Sequence, residues 1–156
     1  MGKKDLFSKQ LKRAEEIIDL KKEISQYDEE IRKRNIHILA DWSHVKDILP
    51  WFDERNGQRD VPMRKGSVYY RDVFLMIVLL LYFPERLSGY GKIPSKTRDY
   101  LADILGCNPT GISKSISRIM FLVSHDISVK RDFAFFAQYI EERIPDEWID
   151  GGTLKL

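Results

Sequence analysis

The sequence contains very little cysteine and no apolar run long enough to cross a membrane. One cysteine in 156 residues, Cys107, excludes a disulfide framework, and no group of Cys and His has the spacing of a structural zinc site. The longest apolar run, residues 73–83, is far shorter than the roughly 18–20 residues of a membrane-spanning helix and predicts a buried core element. The first residues contain no apolar stretch typical of a secretory signal. Together these absences predict a globular protein of the cytoplasm.

Net charge is also small, because 26 basic side chains are balanced by 24 acidic ones. The charges are unevenly distributed along the chain. Residues 86–118 contain six Lys or Arg and two Asp, a local net charge of +4, whereas residues 131–156 contain three basic and six acidic side chains. Since salt screens exposed charges beyond roughly 8 Å, the acidic end does not cancel the basic segment locally. The basic segment is typical of a polyanion-binding surface, and an ordinary solvated surface is the alternative.

Glycine and proline are absent from residues 6–34, which are rich in Leu, Ile, Lys, Glu and Arg and therefore predict one long helix. We assign residues 1–35 to this N-terminal amphipathic helix, which packs on its own domain or on a second copy of the chain. A homodimer formed through it is the expected oligomer. The predicted contact is a seam of about two heptads whose apolar residues recur in steps of three and four: Ile17, Leu20, Ile24, Tyr27 and Ile31.

Residues 36–145 are predicted to form one helical domain. Its first helix is expected over residues 38–49 and to end at Pro50, and a long exposed loop is expected over residues 53–67. Residues 69–83 are apolar on nearly every side, which predicts the central helix of an all-α bundle of about six helices.

The C-terminal part is predicted to hold one more amphipathic helix and a tail. The helix is expected over residues 129–144, and residues 146–156 form the tail. Trp148 and Ile149 are large apolar residues in this acidic tail, so we expect them to dock on the domain or on a partner.

Two predicted helices separated by about three residues form the most informative part of the sequence. Ser95 or Thr97 is expected to cap the first helix, and Gly106 follows it as a stop that tolerates positive φ. Asn108 is expected to cap the second helix, with Pro109 at its first position, where the missing N–H costs nothing.

The second of these helices has two chemically different faces. One face is apolar and is predicted to be buried: Ile112, Ile116, Ile119, Met120 and Val123. Small side chains let a helix enter a DNA groove, while hydroxyls and cations donate to phosphate oxygens and base edges. The opposite face has this composition, with Thr110, Gly111, Ser113, Lys114, Ser117 and Arg118.

The residues LADILGCNPTGISKSISR resemble the helix-turn-helix of bacterial and phage DNA-binding proteins, and the resemblance covers residues 97–120. In that family a Leu-Ala pair, a Gly four residues after the Ala and an Ile or Val six residues after the Gly hold two helices near a right angle. Ser115 departs from the pattern, because a branched aliphatic residue is common there. The matching positions are Leu101, Ala102, Gly106 and Ile112. The resemblance implies DNA contacts by Asn108, Pro109, Thr110, Ser113, Lys114 and Ser117.

We therefore predict a non-enzymatic, sequence-specific protein that binds double-stranded DNA, as a transcriptional regulator of a bacterium, phage or mobile element. In this hypothesis the second helix lies in the major groove, and phosphates are contacted by Lys96, Arg98, Lys114 and Arg118. The structural alternative for this motif is a tight helical hairpin whose polar faces only contact solvent. The functional alternative is a structural or assembly protein, such as a phage packaging or connector component, that uses the helical bundle to contact protein.

Metal binding and catalysis have little support in the sequence. His37, Asp41 and His44 lie at i, i+4 and i+7, but no fourth ligand lies nearby, so we expect a capped or solvated helix face. The residues GYGK at 89–92 lack the preceding strand and the GK[ST] ending of a phosphate-binding loop. The spacing of residues does not indicate a catalytic Ser/His/Asp or Cys/His set. We expect no enzyme, metal or cofactor.

Overall fold

A computed structural model of the chain describes residues 3–34, 38–87 and 92–149. Within these ranges the protein is all-α, with six α-helices longer than one turn and no β-strand, which confirms the predicted fold class. None of the described helices is long and apolar enough to cross a membrane. The α-helices are α1 (Lys3–Arg34), α2 (Val45–Gly57), α3 (Val68–Tyr82), α4 (Pro84–Leu87), α5 (Ser95–Leu105), α6 (Pro109–His125) and α7 (Ile127–Glu141), and two 3-10 helices span Trp42–His44 and Asp146–Trp148.

The chain divides into two compact units, Met1–Asn35 and Ile36–Leu156. The first unit is α1, whose described side chains are all exposed to solvent. Ile17 and Leu20 of the predicted seam belong to this exposed set. The side chains of its other members, Ile24, Tyr27 and Ile31, lie outside the described residues.

Helix α3 lies at the centre of the second unit, as the apolar run predicts. The hydroxyl of Ser67 caps its start by accepting from the Tyr70 N–H, and its end is closed by the Phe83 N–H, which donates to the Leu79 carbonyl at 2.8 Å. Most of its side chains are buried, and α3 packs against α2, α6 and α7. One charged residue, Asp72, is buried among them at 1% exposure.

The predicted end of the first domain helix at Pro50 is wrong, because α2 begins later and continues through that residue. A proline inside a helix costs about 3 kcal/mol, but burying a large apolar side chain contributes about 1.5–3 kcal/mol. Ile48 and Phe52 are both fully buried on the inner face of α2, whereas Pro50 is exposed. The Phe52 ring stacks on that of Phe136 in α7 at a centroid distance of 4.2 Å. Packing on both sides of the proline therefore sustains the helix.

The predicted exposed loop over residues 53–67 is correspondingly shorter, since α2 includes its first five residues. Asn56 is buried on the last turn of α2 and holds the loop on the domain. Its side-chain amide donates to the Met63 carbonyl and its side-chain oxygen accepts from the Met63 N–H, both at 2.8 Å. Lys65 also forms an ion pair with Asp53 at 3.2 Å.

The C-terminal segment docks on the same unit. Helix α7 begins two residues earlier than predicted, because the Asp126 carboxylate caps its start, and it ends three residues earlier, at Glu141. Trp148 stacks on His44 at a centroid distance of 3.9 Å and on Trp51 at 5.5 Å. The predicted docking of the tail on the domain is thus confirmed up to residue 149, and residues 150–156 lie outside the described ones.

Candidate nucleic-acid interface

The turn between α5 and α6 has the predicted geometry. Gly106 ends α5 in the left-handed region, with φ of +67°, and the next N–H, of Cys107, donates to the Ala102 carbonyl at 3.0 Å. The Asn108 side chain accepts from the Gly111 N–H at 2.7 Å and caps α6. The three residues 106–108 therefore join two well-terminated helices.

The predicted cap of α5 by a hydroxyl is wrong. Pro94 precedes the first helical residue, and no side chain of the described residues caps this end. Ser95 is instead the first residue of the helix, and Thr97 is buried at 2% exposure. The Thr97 hydroxyl has no hydrogen-bond partner among the described residues. Thr97 is the third residue of α5 and its side chain is packed into the domain, so its hydroxyl does not cap the helix.

Helix α6 buries a face that includes one polar residue, Ser115. Ile112, Ile116 and Ile119 are buried as predicted, and Ser115 is buried completely. Its hydroxyl accepts from the Nε of Arg71 at 2.9 Å, so this buried polar side chain has a partner inside the domain. Both Ser115 and Ile116 face the domain, so the rotation of α6 about its axis is defined.

An ion pair between α3 and α6 fixes this rotation further. Arg118 donates to the two carboxylate oxygens of Asp72 at 2.6 and 2.8 Å and to the Ser115 hydroxyl at 3.3 Å. The hydrogen bond to Asp72 raises the pKa of Arg118. A bidentate pair of this kind supplies the counter-charge that a buried carboxylate needs. Arg118 therefore holds α6 against α3, and its contact with DNA stays a prediction.

Thr110, Lys114 and Ser117, which are separated by four and three residues, form a stripe on the exposed side of α6, and this side continues to Phe121 and His125. Such spacing places the three side chains on one side of a helix. The Ser117 hydroxyl donates to the Ser113 carbonyl within the helix at 3.2 Å. Asn108, the cap, is also exposed at the start of the stripe. Four of the predicted site residues thus share one accessible surface.

A groove of about 280 Å³ lies beside this stripe. Arg98 of α5 reaches across to α6, where one of its terminal nitrogens donates to the Ser113 hydroxyl at 3.2 Å. Lys96 is exposed on α5 but does not line the groove. Arg86 and Lys92 also line this groove. The sequence places both in the basic segment, but the prediction did not assign them to the site. The full lining is Arg86, Lys92, Ile93, Arg98, Ser113, Ile116 and Ser117.

A larger groove of about 470 Å³ lies between the loop that follows α2 and helix α7, and its charges are mixed. Arg59 and Asp132, which both line it, form an ion pair at 2.8 Å. Asp132 also accepts from the Tyr69 hydroxyl. Because acidic and basic side chains neutralise one another here, this groove is less suited to a polyanion than the smaller one.

Metal ligands do not cluster in the part of the chain that the structure describes. His37 lies outside that part, and His44 stacks on Trp148.

The chain has no significant match among protein-family models, curated proteins or solved structures. Its function is therefore inferred from its own residues.

Proposed function

We propose that this protein binds double-stranded DNA sequence-specifically through α6, without enzymatic activity, as a transcriptional regulator of a bacterium, phage or mobile element. The observation that carries the proposal is the orientation of α6. Its apolar face, Ser115 and Arg118 are engaged with the domain, which leaves Thr110, Lys114 and Ser117 accessible beside the capping residue Asn108.

The accessible stripe suits a DNA groove because its side chains are short or flexible. The major groove is about 12 Å wide and admits one α-helix. The Thr110 hydroxyl can donate and accept, and the Ser117 hydroxyl, which donates to the Ser113 carbonyl, can still accept, so together they match the mixed donors and acceptors of base edges. Lys114 lies between them and supplies a cation for phosphate or guanine. The N-terminal half of α6 would therefore read bases, as in helix-turn-helix docking.

Salt-dependent binding to duplex DNA tests the proposal. With a mixed-sequence duplex, the logarithm of the binding constant falls linearly with the logarithm of salt concentration, by about 0.9 for each phosphate contact. We expect Lys114→Gln to weaken binding and to lower this slope by about 0.9. Lys130→Gln, an exposed substitution in α7, is the matched control and should leave both unchanged. Absence of binding at low salt, or identical behaviour of Lys114→Gln and the wild type, would overturn the proposal.

Arg118 is unsuitable for this test. Its replacement would remove the counter-charge of the buried Asp72 and destabilise the packing of α6 on α3. A loss of DNA binding in that variant would report on folding and would not identify a phosphate contact.

We also propose a homodimer through α1. Leu11, Ile17 and Leu20 are more than half exposed on this helix, and burying such side chains favours association. Residues 3–13 contain five basic and one acidic side chain, whereas residues 15–30 contain two basic and seven acidic ones. An antiparallel pair would set opposite charges against each other, while a parallel pair would align like charges.

Mass measurement in solution tests the dimer and separates it from the assembly alternative. We expect twice the chain mass for the wild type and the chain mass for Ile17→Asp with Leu20→Asp. Ser8→Asp with Gln10→Asp, which adds the same two negative charges at exposed polar positions of α1, should remain dimeric. A monomeric wild type contradicts the dimer. A larger ring or filament without DNA binding would favour the structural or assembly function, which the exposed apolar residues of α1 also support.

A further inference from the structure

The groove between α5 and α6 carries charge of one sign. Three cations, Arg86, Lys92 and Arg98, line it together with the hydroxyls of Ser113 and Ser117. No acidic side chain contributes to its lining among the described residues. This composition differs from that of the larger groove, where carboxylates and guanidinium groups alternate. Cations gathered without a counter-charge repel one another, so an anion that enters the groove is attracted by all three.

Arg98 is the most informative member of this set. One terminal nitrogen donates to the Ser113 hydroxyl, while its Nε is buried and has no acceptor in the part of the chain that the structure describes. A buried donor without an acceptor costs about 1–3 kcal/mol, and such a group needs an explanation. By contrast, Arg118 on the same helix pair has a bidentate carboxylate partner. Apart from the donor that Ser113 accepts, the terminal N–H groups of Arg98 have no acceptor in the described part of the chain, and these groups can donate to an incoming anion.

We propose that this groove is an oxyanion site that binds one phosphate group. A phosphate presents several oxygens that accept charge-assisted hydrogen bonds, and arginine, lysine and serine are the donors that proteins use for it. Arg98 and Ser113 contribute to the lining from two different helices, and Arg86 and Lys92 add two further positive charges to it. The volume of about 280 Å³ accommodates a phosphate group with bound waters.

Two sources can supply this phosphate, a diester of the DNA backbone or a free phosphorylated molecule. The position of Ser117 links the groove to the DNA-reading surface, because this residue belongs to both the lining and the exposed stripe of α6. A DNA phosphate in the groove would rest on the proposed function, whereas a free phosphate would not.

The first experiment is a titration of the full chain with inorganic phosphate at constant ionic strength, with chloride as the reference anion. Backbone amide chemical shifts are the readout, and we expect saturable shifts centred on Ser113 and Ser117. Arg86→Gln with Lys92→Gln should weaken binding at least about tenfold, because hydrogen bonds to charged groups are among the stronger ones. Arg98→Met, which retains the apolar stem, should have a similar effect. Lys130→Gln with Arg131→Gln removes the same charge elsewhere and should bind phosphate as the wild type does.

The second experiment measures the salt slope of DNA binding for the same variants. A decrease of about 0.9 in the Arg86→Gln and Lys92→Gln variant, with no change in the control pair, identifies a DNA phosphate as the ligand. Saturable phosphate binding with an unchanged slope identifies a free phosphorylated molecule. Either result supports the oxyanion site. Unsaturable shifts together with a wild-type slope in the groove variant would overturn it. If the protein binds no DNA, the proposed function fails, and the phosphate titration still decides whether the site exists.

Discussion

Replacing Arg118 by methionine is the perturbation that most directly probes how α6 is held. Methionine keeps the apolar stem but leaves the carboxylate of Asp72, which is 1% exposed, without its counter-charge. Breaking a buried ion pair from one side costs about 3–5 kcal/mol. Because the Arg118 side chain is 39% exposed, water screens the pair, and the lower end of that range, about 3 kcal/mol, is expected.

Removing both charges should restore most of this stability. Replacing a buried ion pair by apolar residues of similar volume is often neutral. Asp72→Leu alone should cost about 1 kcal/mol, because the partly exposed Arg118 can be hydrated, and the double variant should lie within about 1 kcal/mol of the wild type. The coupling between the two positions is then about 3–5 kcal/mol.

Urea unfolding followed by tryptophan fluorescence measures these differences. Trp42, Trp51 and Trp148 all lie in the unit Ile36–Leu156, so the signal reports on that unit and not on α1. A cost below about 1 kcal/mol for Arg118→Met, or single-variant costs that simply add in the double variant, would refute the reasoning.

Two further predictions concern Gly106 of the turn and the tyrosines at the start of α3. Gly106→Ala should destabilise the helical unit by about 1–2 kcal/mol, because its φ of +67° is unfavourable for any residue with a Cβ. An added Cβ would meet no atom within 4 Å, so this cost comes from the backbone conformation and not from a clash. Gly57→Ala, at the helical end of α2, is the matched control and should be neutral or stabilising in the same urea experiment. Burial, followed by a hydrogen bond to a carboxylate, raises the pKa of Tyr69 and Tyr70 above the ordinary value near 10. The folded state keeps these protons longer than the unfolded state, so their stabilising contribution is complete below pH 10 and is lost as the pH rises above it. Unfolding midpoints that stay constant from pH 9 to 11 would contradict this assignment.

Local signals predicted much of the fold. The apolar run in residues 73–83 indicated the central helix, because in a helix of 3.6 residues per turn these residues place apolar side chains on every face. Gly106 and Asn108 indicated where α5 ends and α6 begins, because the boundary of a helix depends on the backbone conformation and side chain of single residues. Pro50 misled the prediction, since the burial of Ile48 and Phe52 that outweighs it depends on α3 and α7.

The candidate site was predicted in part. Lys114 and Ser117 follow from helical periodicity and lie on the accessible face of α6. The pairing of Arg118 with Asp72 joins residues 46 positions apart, and no local pattern signals it. The role of Ser115 could not be read from the sequence for the same reason, since Arg71 lies on α3. Arg86 was visible as a basic residue, but its place in the groove depends on the packing of α4 against α6.

Selection of duplexes from a randomised DNA library by the full chain tests the central claim, that the accessible face of α6 reads base sequence. We predict enrichment of one motif by the wild type and a changed or lost preference at defined positions of that motif in Thr110→Ala with Ser117→Ala. Lys130→Gln should enrich the wild-type motif. Failure to enrich any motif, or the same motif in the Thr110→Ala and Ser117→Ala variant, would contradict the account.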